Sequence, residues 1–558
     1  MALASLVLVL AVVTGIRIRL LSLPLERDEG EYAYAGQLLL QDIAPYKEMY
    51  SMKWPGTFAV YAVTMGFFGQ SIVAIHSGLL LTVLPSVGIL FFIGRNMYGP
   101  IGASVAAGTY ALLAITPPTL GLAAHATHFV VLPALGGILL LQTLSANAPA
   151  WRVALAGVLF GLAALMKQSG IIFGLFGALW LLRIEGAGPE RDNRRLRIRF
   201  SCLVLGGLLP FGITCALLAG AGVFGRFWFW TVKYSQTYAG LLSPLQGLQF
   251  LSEIAPRLFE AAPALWGLAL LGLVLVWVTN TLARWRFFLT GFTLFSFLAV
   301  CPGWYFREHY FLLLLPAAGL LAGAAVALCD PEGAYAWQQE HGLPRAISEQ
   351  APHSLSRAPN RVRPGIGALD WLQPVALGGF AVAAAWTLYI SRDLFFRASP
   401  AQASHLLYRG NAFPECLQLG RYLAEHCPAE SRIAVLGSEP ELYFYSHRRS
   451  ATGHIYMYPL MEPQPYAKTL QEEMIREILT ANPDYFVFVG VSTSWLPHGD
   501  SDASLLSWFE TYRREHLAPV ALVQLFSDAQ VEYDWSGAHQ PEAARPKRWL
   551  EVYRRTGK

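Results

Sequence analysis

The chain has 558 residues, of which 54% are hydrophobic and only 14% carry a charge, and its mean hydropathy is +0.40. Soluble domains carry about 25% charged residues, so this composition excludes an ordinary soluble protein and indicates one that crosses a membrane several times. The formal net charge of +4 is too small to indicate nucleic-acid binding.

Long apolar segments fill the first two thirds of the chain, and a transmembrane helix needs about 20 mainly apolar residues. Basic residues gather in the segments 183–199, 284–286 and 330–370, which the count of spans places on one side of the membrane. The positive-inside rule makes that side cytoplasmic, so the N-terminus is also cytoplasmic and the chain after the last span lies outside. The predicted spans are 2–23, 72–94, 100–118, 128–145, 152–167, 170–184, 200–221, 261–280, 287–302, 309–328 and 371–390.

Four carboxylates follow the first predicted span: Glu26, Asp28, Glu29 and Glu31. Carboxylates close to a span are costly, which makes them candidates for function. One alternative is structural: residues 29–41 fit an amphipathic helix, with Asp28 as its N-cap and Glu31 completing a capping box. The other alternative is a catalytic carboxylate at the outer surface of the membrane.

Two basic motifs lie in other outer loops. The segment 53–55 (Lys-Trp-Pro) is typical of anchoring at a membrane surface, but Lys53 can also bind an anionic lipid headgroup. Arg307 and His309 could bind a phosphate, although an ion pair between Arg307 and Glu308 would be an alternative of little energetic consequence.

Three further polar side chains lie at the outer ends of spans. His125 and His128 are spaced like a pair of metal ligands, but no Cys or suitably spaced carboxylate accompanies them, so we predict no metal site. Lys167 needs a partner or a path to the membrane surface. The aromatic segment within 222–258 is expected at the level of the lipid headgroups.

Charged residues return from residue 391 onwards, and long apolar runs stop. The segments 431–436 and 484–490 are predicted to be short buried strands, with a helix over 465–480 between them. We therefore predict a transmembrane domain over residues 1–390 and an outer α/β domain over 391–558.

Several motifs occur in the order found in one known group of enzymes, and together they cover most of residues 1–330. They are Asp28-Glu29-Gly30-Glu31-Tyr32-Ala33 (similar to D-E-x-x-Y-A), Lys53-Trp54-Pro55 (K-x-P), the basic turn 95–99, residues 161–168 (G-L-A-x-x-x-K) and residues 309–316 (H/R-Y-x-x-x-x-x-P). The arrangement resembles the GT-C superfamily of membrane glycosyltransferases. It is most similar to the family 39-like group of protein O-mannosyltransferases and the aminoarabinose transferase of lipid A.

This resemblance implies an α-helical multipass membrane protein of about eleven spans with a C-terminal soluble α/β domain. It implies a glycosyltransferase of hexosyl or mannosyl type, which takes a sugar from a polyprenyl phosphate and transfers it on the outer face of the inner membrane. The acceptor would be a protein, a lipid or a glycan. Membrane lipids would surround the protein, and no nucleic acid, cofactor or metal is expected to take part.

The resemblance also implies roles for individual residues. A phosphate leaves without a general acid, so one general base suffices, unlike the two carboxylates of a glycosidase. That base would be Asp28, supported by Glu29 or Glu31, in a single displacement that inverts the anomeric carbon. Fixed cations would stabilise the charge that develops on the phosphate. The candidates for this binding are Lys53, Arg307 and His309, and further candidates for the site are Glu31, Tyr32, Lys167, His125 and His128.

Two other classes of protein share parts of this pattern. A transporter or flippase of lipid-linked or small polar substrates would also have many spans, but it would more often show inverted repeats and helices broken at mid-membrane. An inactive scaffold would use the segment 391–558 to bind partners. The ionisable groups at the outer ends of the spans favour chemistry at the membrane surface.

Overall fold

The computed structural model describes residues 2–186, 192–341, 372–537 and 545–556. The part of the basic segment 330–370 that follows residue 341, predicted to be cytoplasmic, lies outside these ranges. Contacts within the chain divide it into two compact units. The first, called the helical unit, comprises Met1–Arg19, Ser77–Ala216 and Leu242–Arg397. The second, called the mixed unit, comprises Leu20–His76, Leu217–Leu241 and Ala398–Lys558.

The helices of the helical unit are mostly apolar, and each predicted span falls on one of them. They are Ala2–Arg19, Ile72–Leu113, Ala126–Gln142, Ala150–Met166, Ile171–Gly186, Asn193–Gly220, Pro244–Ala261, Pro263–Val278, Arg286–Val300, Leu315–Ala327, Pro331–His341 and Leu372–Ile390. Within the described ranges, four helices are long and apolar enough to cross a membrane, or up to six if each of two bent helix pairs counts as one span. The number of eleven spans therefore stays a prediction.

The two predicted spans 72–94 and 100–118 belong to one interrupted helix, Ile72–Leu113. The interruption lies at Tyr98 and Gly99, whose backbones are not helical. Gly99 has φ +83°, a conformation that glycine adopts without steric cost. The break separates the two apolar segments where the sequence predicts a turn.

Several helices of this unit keep a broad apolar face on their outside. In helix Asn193–Gly220, the side chains of Leu205, Leu208 and Leu209 are more than half exposed. An apolar surface of this extent is unfavourable in water and is typical of a protein face in contact with lipid chains. The helical unit thus has the surface of an integral membrane protein.

The mixed unit contains a six-stranded sheet with the strand order β2-β1-β3-β6-β4-β5. The central strands β1 and β3 fall on the two predicted strands, and helix Ala467–Ala481 falls on the predicted helix 465–480, so these predictions are confirmed. Strand β1 runs parallel to β2 and β3, whereas the β3/β6, β6/β4 and β4/β5 pairs are antiparallel. The strands are β1 (Arg432–Leu436), β2 (Arg449–Ser450), β3 (Tyr485–Gly490), β4 (Leu517–Leu525), β5 (Val531–Asp534) and β6 (Arg548–Arg555).

Helices surround this sheet, and some of them come from early parts of the chain. They are Arg27–Leu39, Gly56–Phe68, Phe224–Trp228, Ser235–Ala239, Pro400–Leu407, Phe413–His426, Glu441–Ser446, Tyr458–Met461, Ala467–Ala481, Ser492–Trp495 and Ser504–His516. The predicted domains 1–390 and 391–558 stay a prediction, but two segments that the prediction gave to the first domain pack here with the sheet.

Part of the aromatic segment predicted at the headgroup level belongs to the core of the mixed unit. Trp230 and Tyr234, in the π-helix Phe229–Tyr234, are buried with Tyr50 and Met474 in one hydrophobic cluster. The rings of Tyr50 and Trp230 stack with their centroids 5.8 Å apart. The interfacial prediction is therefore wrong for these two aromatic residues, because the sheet and its helices supply an apolar surface that sequence patterns alone do not reveal.

Candidate active site

The helix Arg27–Leu39, called the acidic helix, starts with a capping box formed by glutamates. The backbone N–H of Glu29 donates to Oε1 of Glu26 at 3.0 Å, and the backbone N–H of Glu26 donates to Oε2 of Glu29 at 3.3 Å. Glu26 is the N-cap because its backbone is extended. The alternative that Asp28 caps this helix, with Glu31 closing the box, is therefore wrong. Asp28 lies inside the first turn, where capping does not require its side chain.

The acidic helix is buried almost all round, so the predicted amphipathic pattern is also wrong. Residues 29–38 are buried within the mixed unit, where the helix packs against Gly56–Phe68 and Glu441–Ser446. A Cβ at Gly30 would lie 2.6 Å from the backbone nitrogen of Glu441. The small residues of the helix allow this close approach, and that contact fixes the position of the turn that carries Asp28.

Lys53 joins two carboxylates of the acidic helix. Its Nζ donates to Oδ1 of Asp28 at 2.7 Å and to Oε2 of Glu31 at 2.5 Å. The side chains of Asp28 and Lys53 keep 23% and 25% of their surface exposed, whereas Glu31 keeps 2%. The spacing of Asp28 and Glu31 by three residues places both on one helix face, where a single cation reaches them.

Two tyrosines complete the surroundings of Lys53 within the mixed unit. Nζ of Lys53 lies 4.6 Å from the ring centroid of Tyr32 and 5.3 Å from that of Tyr456, distances at which a cation is attracted to an aromatic face. The hydroxyl of Tyr456 also donates to Oδ1 of Asp28 at 2.9 Å. Oδ1 of Asp28 thus accepts hydrogen bonds from both Lys53 and Tyr456.

Burial and the nearest opposite charge act in opposite directions on the pKa values of Glu31 and Lys53. Burial raises the pKa of the Glu31 carboxyl, and the ammonium of Lys53 offsets part of that rise. Burial lowers the pKa of Lys53, but the carboxylates of Asp28 and Glu31 outweigh it, so this pKa lies well above its usual range. Burial, together with nearby Asp28 and Glu29, holds the pKa of Glu26 well above its ordinary value. Lys53 therefore stays charged and favours the ionised form of its partners.

Glu29 has a different environment from Asp28 and Glu31. Its side chain is fully buried, and Oε1 lies 2.9 Å from Nε2 of His76. Nδ1 of His76 lies 2.8 Å from the backbone oxygen of Leu21. Through the imidazole of His76, these contacts connect the first turn of the acidic helix to the backbone of Leu21. Of the two carboxylates predicted to support Asp28, Glu31 is the one that shares its lysine.

A second group of predicted residues meets in the helical unit. The imidazole rings of His125 and His309 stack with their centroids 4.2 Å apart. Nζ of Lys167 lies 3.3 Å from the ring centroid of Tyr310, so this charge has an aromatic partner at the end of its helix. The structure thus brings together the motifs at 161–168 and 309–316, which lie far apart in the sequence.

Arg307, Glu308 and His128 are less directly connected to that group. The guanidinium of Arg307 is exposed and lies 5.5 Å from the ring centroid of Tyr305. Glu308 forms an ion pair with Arg257 at 3.4 Å, rather than the predicted local pair with Arg307. His128 is buried, and its Nε2 lies 3.0 Å from the backbone oxygen of Gly121.

Two residues of the Asp28 cluster did not appear among the sequence candidates. His76 lies at the start of an apolar helix, and an ionisable residue in such a position is a recognisable signal. Tyr456 gives no comparable signal, because it lies 428 positions from Asp28 and in a segment without a family motif. Only the folded chain brings it to the carboxylate.

The chemistry available at this cluster is that of a positioned base. A partly exposed carboxylate accepts hydrogen bonds from a lysine and a tyrosine through one oxygen, on a helix that is otherwise buried. A carboxylate in such a setting can accept a proton from a hydroxyl group placed beside it.

No family model matches the chain, and no curated protein matches it. Among solved structures, it is similar to ArnT from Cupriavidus metallidurans bound to undecaprenyl phosphate, with 15% sequence identity and a TM-score of 0.54. The same protein in the apo state matches with 16% identity and a TM-score of 0.53. In both cases the match covers 99% of this chain and 98% of the other. The chain therefore has the fold of the GT-C membrane glycosyltransferases.

Proposed function

We propose that this protein is a glycosyltransferase that takes a sugar from a polyprenyl-phosphate donor and transfers it to an acceptor hydroxyl. The fold supports this proposal, because the similarity to ArnT extends over nearly the whole of both chains. ArnT was crystallised with undecaprenyl phosphate, a polyprenyl phosphate of the expected class.

Asp28 is the general base in this proposal, and its setting is the observation that carries it. The carboxylate is fixed through Oδ1 by Lys53 and Tyr456, and the side chain remains partly exposed. The acceptor oxygen attacks the anomeric carbon while its proton passes to Asp28. The bond from that carbon to the phosphate oxygen breaks, and the phosphate leaves with the electron pair. Attack opposite the leaving group inverts the anomeric configuration.

Lys53, Arg307 and His309 are the proposed ligands of the donor phosphate. Lys53 also keeps Asp28 ionised in this proposal. Its short contacts with Asp28 and Glu31 support this second role. Its ammonium also lies between the two carboxylates, where a divalent cation would otherwise be attracted. We propose that the displacement itself proceeds without a metal.

The membrane topology, the type of sugar and the acceptor are proposed from the sequence. The distribution of basic residues supports a cytoplasmic N-terminus and transfer on the outer face of the membrane. The family resemblance supports a location in the inner membrane. The family resemblance supports a sugar of hexosyl or mannosyl type. The acceptor is a hydroxyl group of a protein, a lipid or another glycan.

The substitution Asp28→Asn tests the base directly. We expect sugar transfer to fall by about 10²- to 10⁴-fold, since this is the usual contribution of a general base. Transfer of radiolabelled sugar from polyprenyl phosphates to membrane acceptors measures it, at matched expression and with Tm as a check on folding.

Asp42→Asn is the matched control for this test. Asp42 is exposed beyond the end of the acidic helix, and its φ of +60° suits asparagine as well as aspartate. The control makes the same chemical change and should transfer like the wild type. If Asp28→Asn retained full activity beside an active control, Asp28 would not be the base.

A further inference from the structure

The hydrogen bond from Tyr456 to Asp28 comes from a part of the chain that the proposed mechanism does not use. Tyr456 lies between strand β2 and helix Tyr458–Met461, in the C-terminal part of the mixed unit. Its hydroxyl lies 2.9 Å from Oδ1 of Asp28, and its ring also lies beside Nζ of Lys53. One side chain thus contacts both members of the central ion pair.

We propose that Tyr456 is a positioning residue, which holds the Asp28 carboxylate ionised and correctly oriented for attack by the acceptor. This inference rests on the proposed function and adds a role for the C-terminal α/β segment in catalysis. Lys53 and Tyr456 approach the same carboxylate oxygen from two separate segments, and these two hydrogen bonds restrict rotation of the carboxyl group.

A shared anchor connects Tyr456 to the start of the acidic helix. The backbone N–H of Met457, next to Tyr456, donates to Oγ of Ser438 at 2.8 Å. Nε of Arg27, next to Asp28, donates to the backbone oxygen of Ser438 at 2.5 Å. Ser438 itself is buried and is held by two hydrogen bonds to Ser494. Met457, next to the donor Tyr456, and Arg27, next to the acceptor Asp28, are therefore both hydrogen-bonded to Ser438.

The state of the phenol is suited to this role. Burial, reinforced by the charges of Asp28 and Glu31, holds the pKa of Tyr456 well above its ordinary value. The hydroxyl therefore keeps its proton and donates it in a hydrogen bond. A donor to a carboxylate stabilises the ionised form and lowers the pKa of the acid. Within the mixed unit, Lys53 acts on Asp28 in the same direction, whereas the charges of Glu26 and Glu31 act against it.

The substitution Tyr456→Phe removes the hydroxyl and keeps the ring beside Lys53. We expect the acid limb of the pH profile of kcat/KM to move to higher pH by about one unit, because a hydrogen bond to a charged group is lost. At the pH where wild-type Asp28 is half ionised, kcat/KM should fall several-fold. Towards higher pH the two enzymes should converge, since Asp28 then ionises in both.

Tyr485→Phe is the matched control. Tyr485 is buried in strand β3, and its hydroxyl donates to the backbone oxygen of His426 at 3.1 Å. Tyr485→Phe therefore removes a hydrogen-bonded tyrosine hydroxyl of the same unit that does not contact Asp28. This variant should keep the wild-type midpoint. An equal loss of kcat/KM at every pH in Tyr456→Phe, with an unchanged midpoint, would overturn the inference and leave Tyr456 a structural residue.

A measurement without turnover separates this inference from the proposed function. Infrared difference spectra over a pH series report protonation of carboxyl groups, and the band that is missing in Asp28→Asn identifies Asp28. We expect this band to titrate at higher pH in Tyr456→Phe than in the wild type. An unchanged titration overturns the inference even if transfer is observed. A shifted titration supports the contact with Asp28 even if no donor is turned over, in which case only the proposed function fails.

Discussion

Asp28, Glu31 and Lys53 form an unequal set of charges, with two carboxylates around one ammonium. Glu31 is almost completely buried, so it depends on Lys53 much more than Asp28 does. Removing one partner of a buried ion pair leaves the other charge without compensation, which is more costly than losing an exposed pair. Lys53 should therefore matter for stability as well as for activity.

The substitution Lys53→Met tests this dependence. We expect the free energy of unfolding to fall by about 2–3 kcal/mol, because the carboxylate of Glu31 loses its cation. Adding Glu31→Gln should recover about half of that loss, since the uncompensated charge is then removed. Denaturant unfolding in detergent, followed by tryptophan fluorescence, measures these differences.

Lys47→Met is the control for the lysine variant, because Lys47 lies exposed in the same loop. It should change the stability by no more than about 0.5 kcal/mol. If the two lysine variants were equally stable, the carboxylates would not depend on Lys53 for their stability.

At the residue scale, local patterns in the sequence identified the charged groups but misjudged some of their partners. A glutamate-based capping box at Glu26 and Glu29 competes with one that starts at Asp28, and both fit the same spacing rule. The backbone conformation at the start of the helix decides between them. The partner of Lys167 is a tyrosine from a distant segment, and no local rule predicts it.

At the scale of elements, close packing between helices Ala150–Met166 and Asn193–Gly220 depends on glycine. A Cβ at Gly157 would lie 2.2 Å from the backbone oxygen of Leu203, and one at Gly161 would lie 2.4 Å from that of Gly207. Small residues four positions apart are typical of helices that approach closely within a membrane. This contact positions the helix that ends next to Lys167.

The substitution Gly157→Ala should destabilise this helix pair. The added methyl group cannot fit beside the backbone of Leu203, and overpacking of this kind costs about 1–3 kcal/mol. A lower Tm in detergent, followed by the helical signal in circular dichroism, is the expected result.

Gly212→Ala is the matched control for this change. Gly212 also lies inside a helix, but a Cβ there would meet no atom within 4 Å. Alanine favours a helix over glycine by up to about 1 kcal/mol, so this variant should be unchanged or slightly more stable. Equal Tm values for both alanine variants would contradict the close packing at Gly157.

Apolar periodicity predicted the positions of helices and strands more accurately than it predicted which of their faces are buried. The predicted spans fall on helices, and the central strands of the sheet follow from short runs of β-branched and aromatic residues. The acidic helix was expected to expose one face, yet other segments cover it on nearly all sides. Burial depends on which segments meet in space, and a pattern within one segment does not contain that information.

At the scale of the molecule, the mixed unit is assembled from three separate parts of the chain. The first contributes Asp28 and Lys53, and the last contributes Tyr456 and the sheet. The proposed base and its positioning residue therefore belong to one compact unit, although 428 positions separate them in sequence. A boundary at residue 390 marks the change in composition, but it would assign Asp28 and Lys53 to one domain and Tyr456 to another, whereas all three belong to the mixed unit.

The central claim is transfer of a sugar from a lipid-linked donor. It is tested most directly by incubating the purified protein with radiolabelled sugars on polyprenyl phosphates and with membrane acceptors, with Asp28→Asn as the comparison. We predict that the wild type moves label from the donor to an acceptor with inversion of the anomeric configuration, and that the variant does not. Absence of transfer by the wild type across a panel of donors would contradict the account and favour a transporter or scaffold.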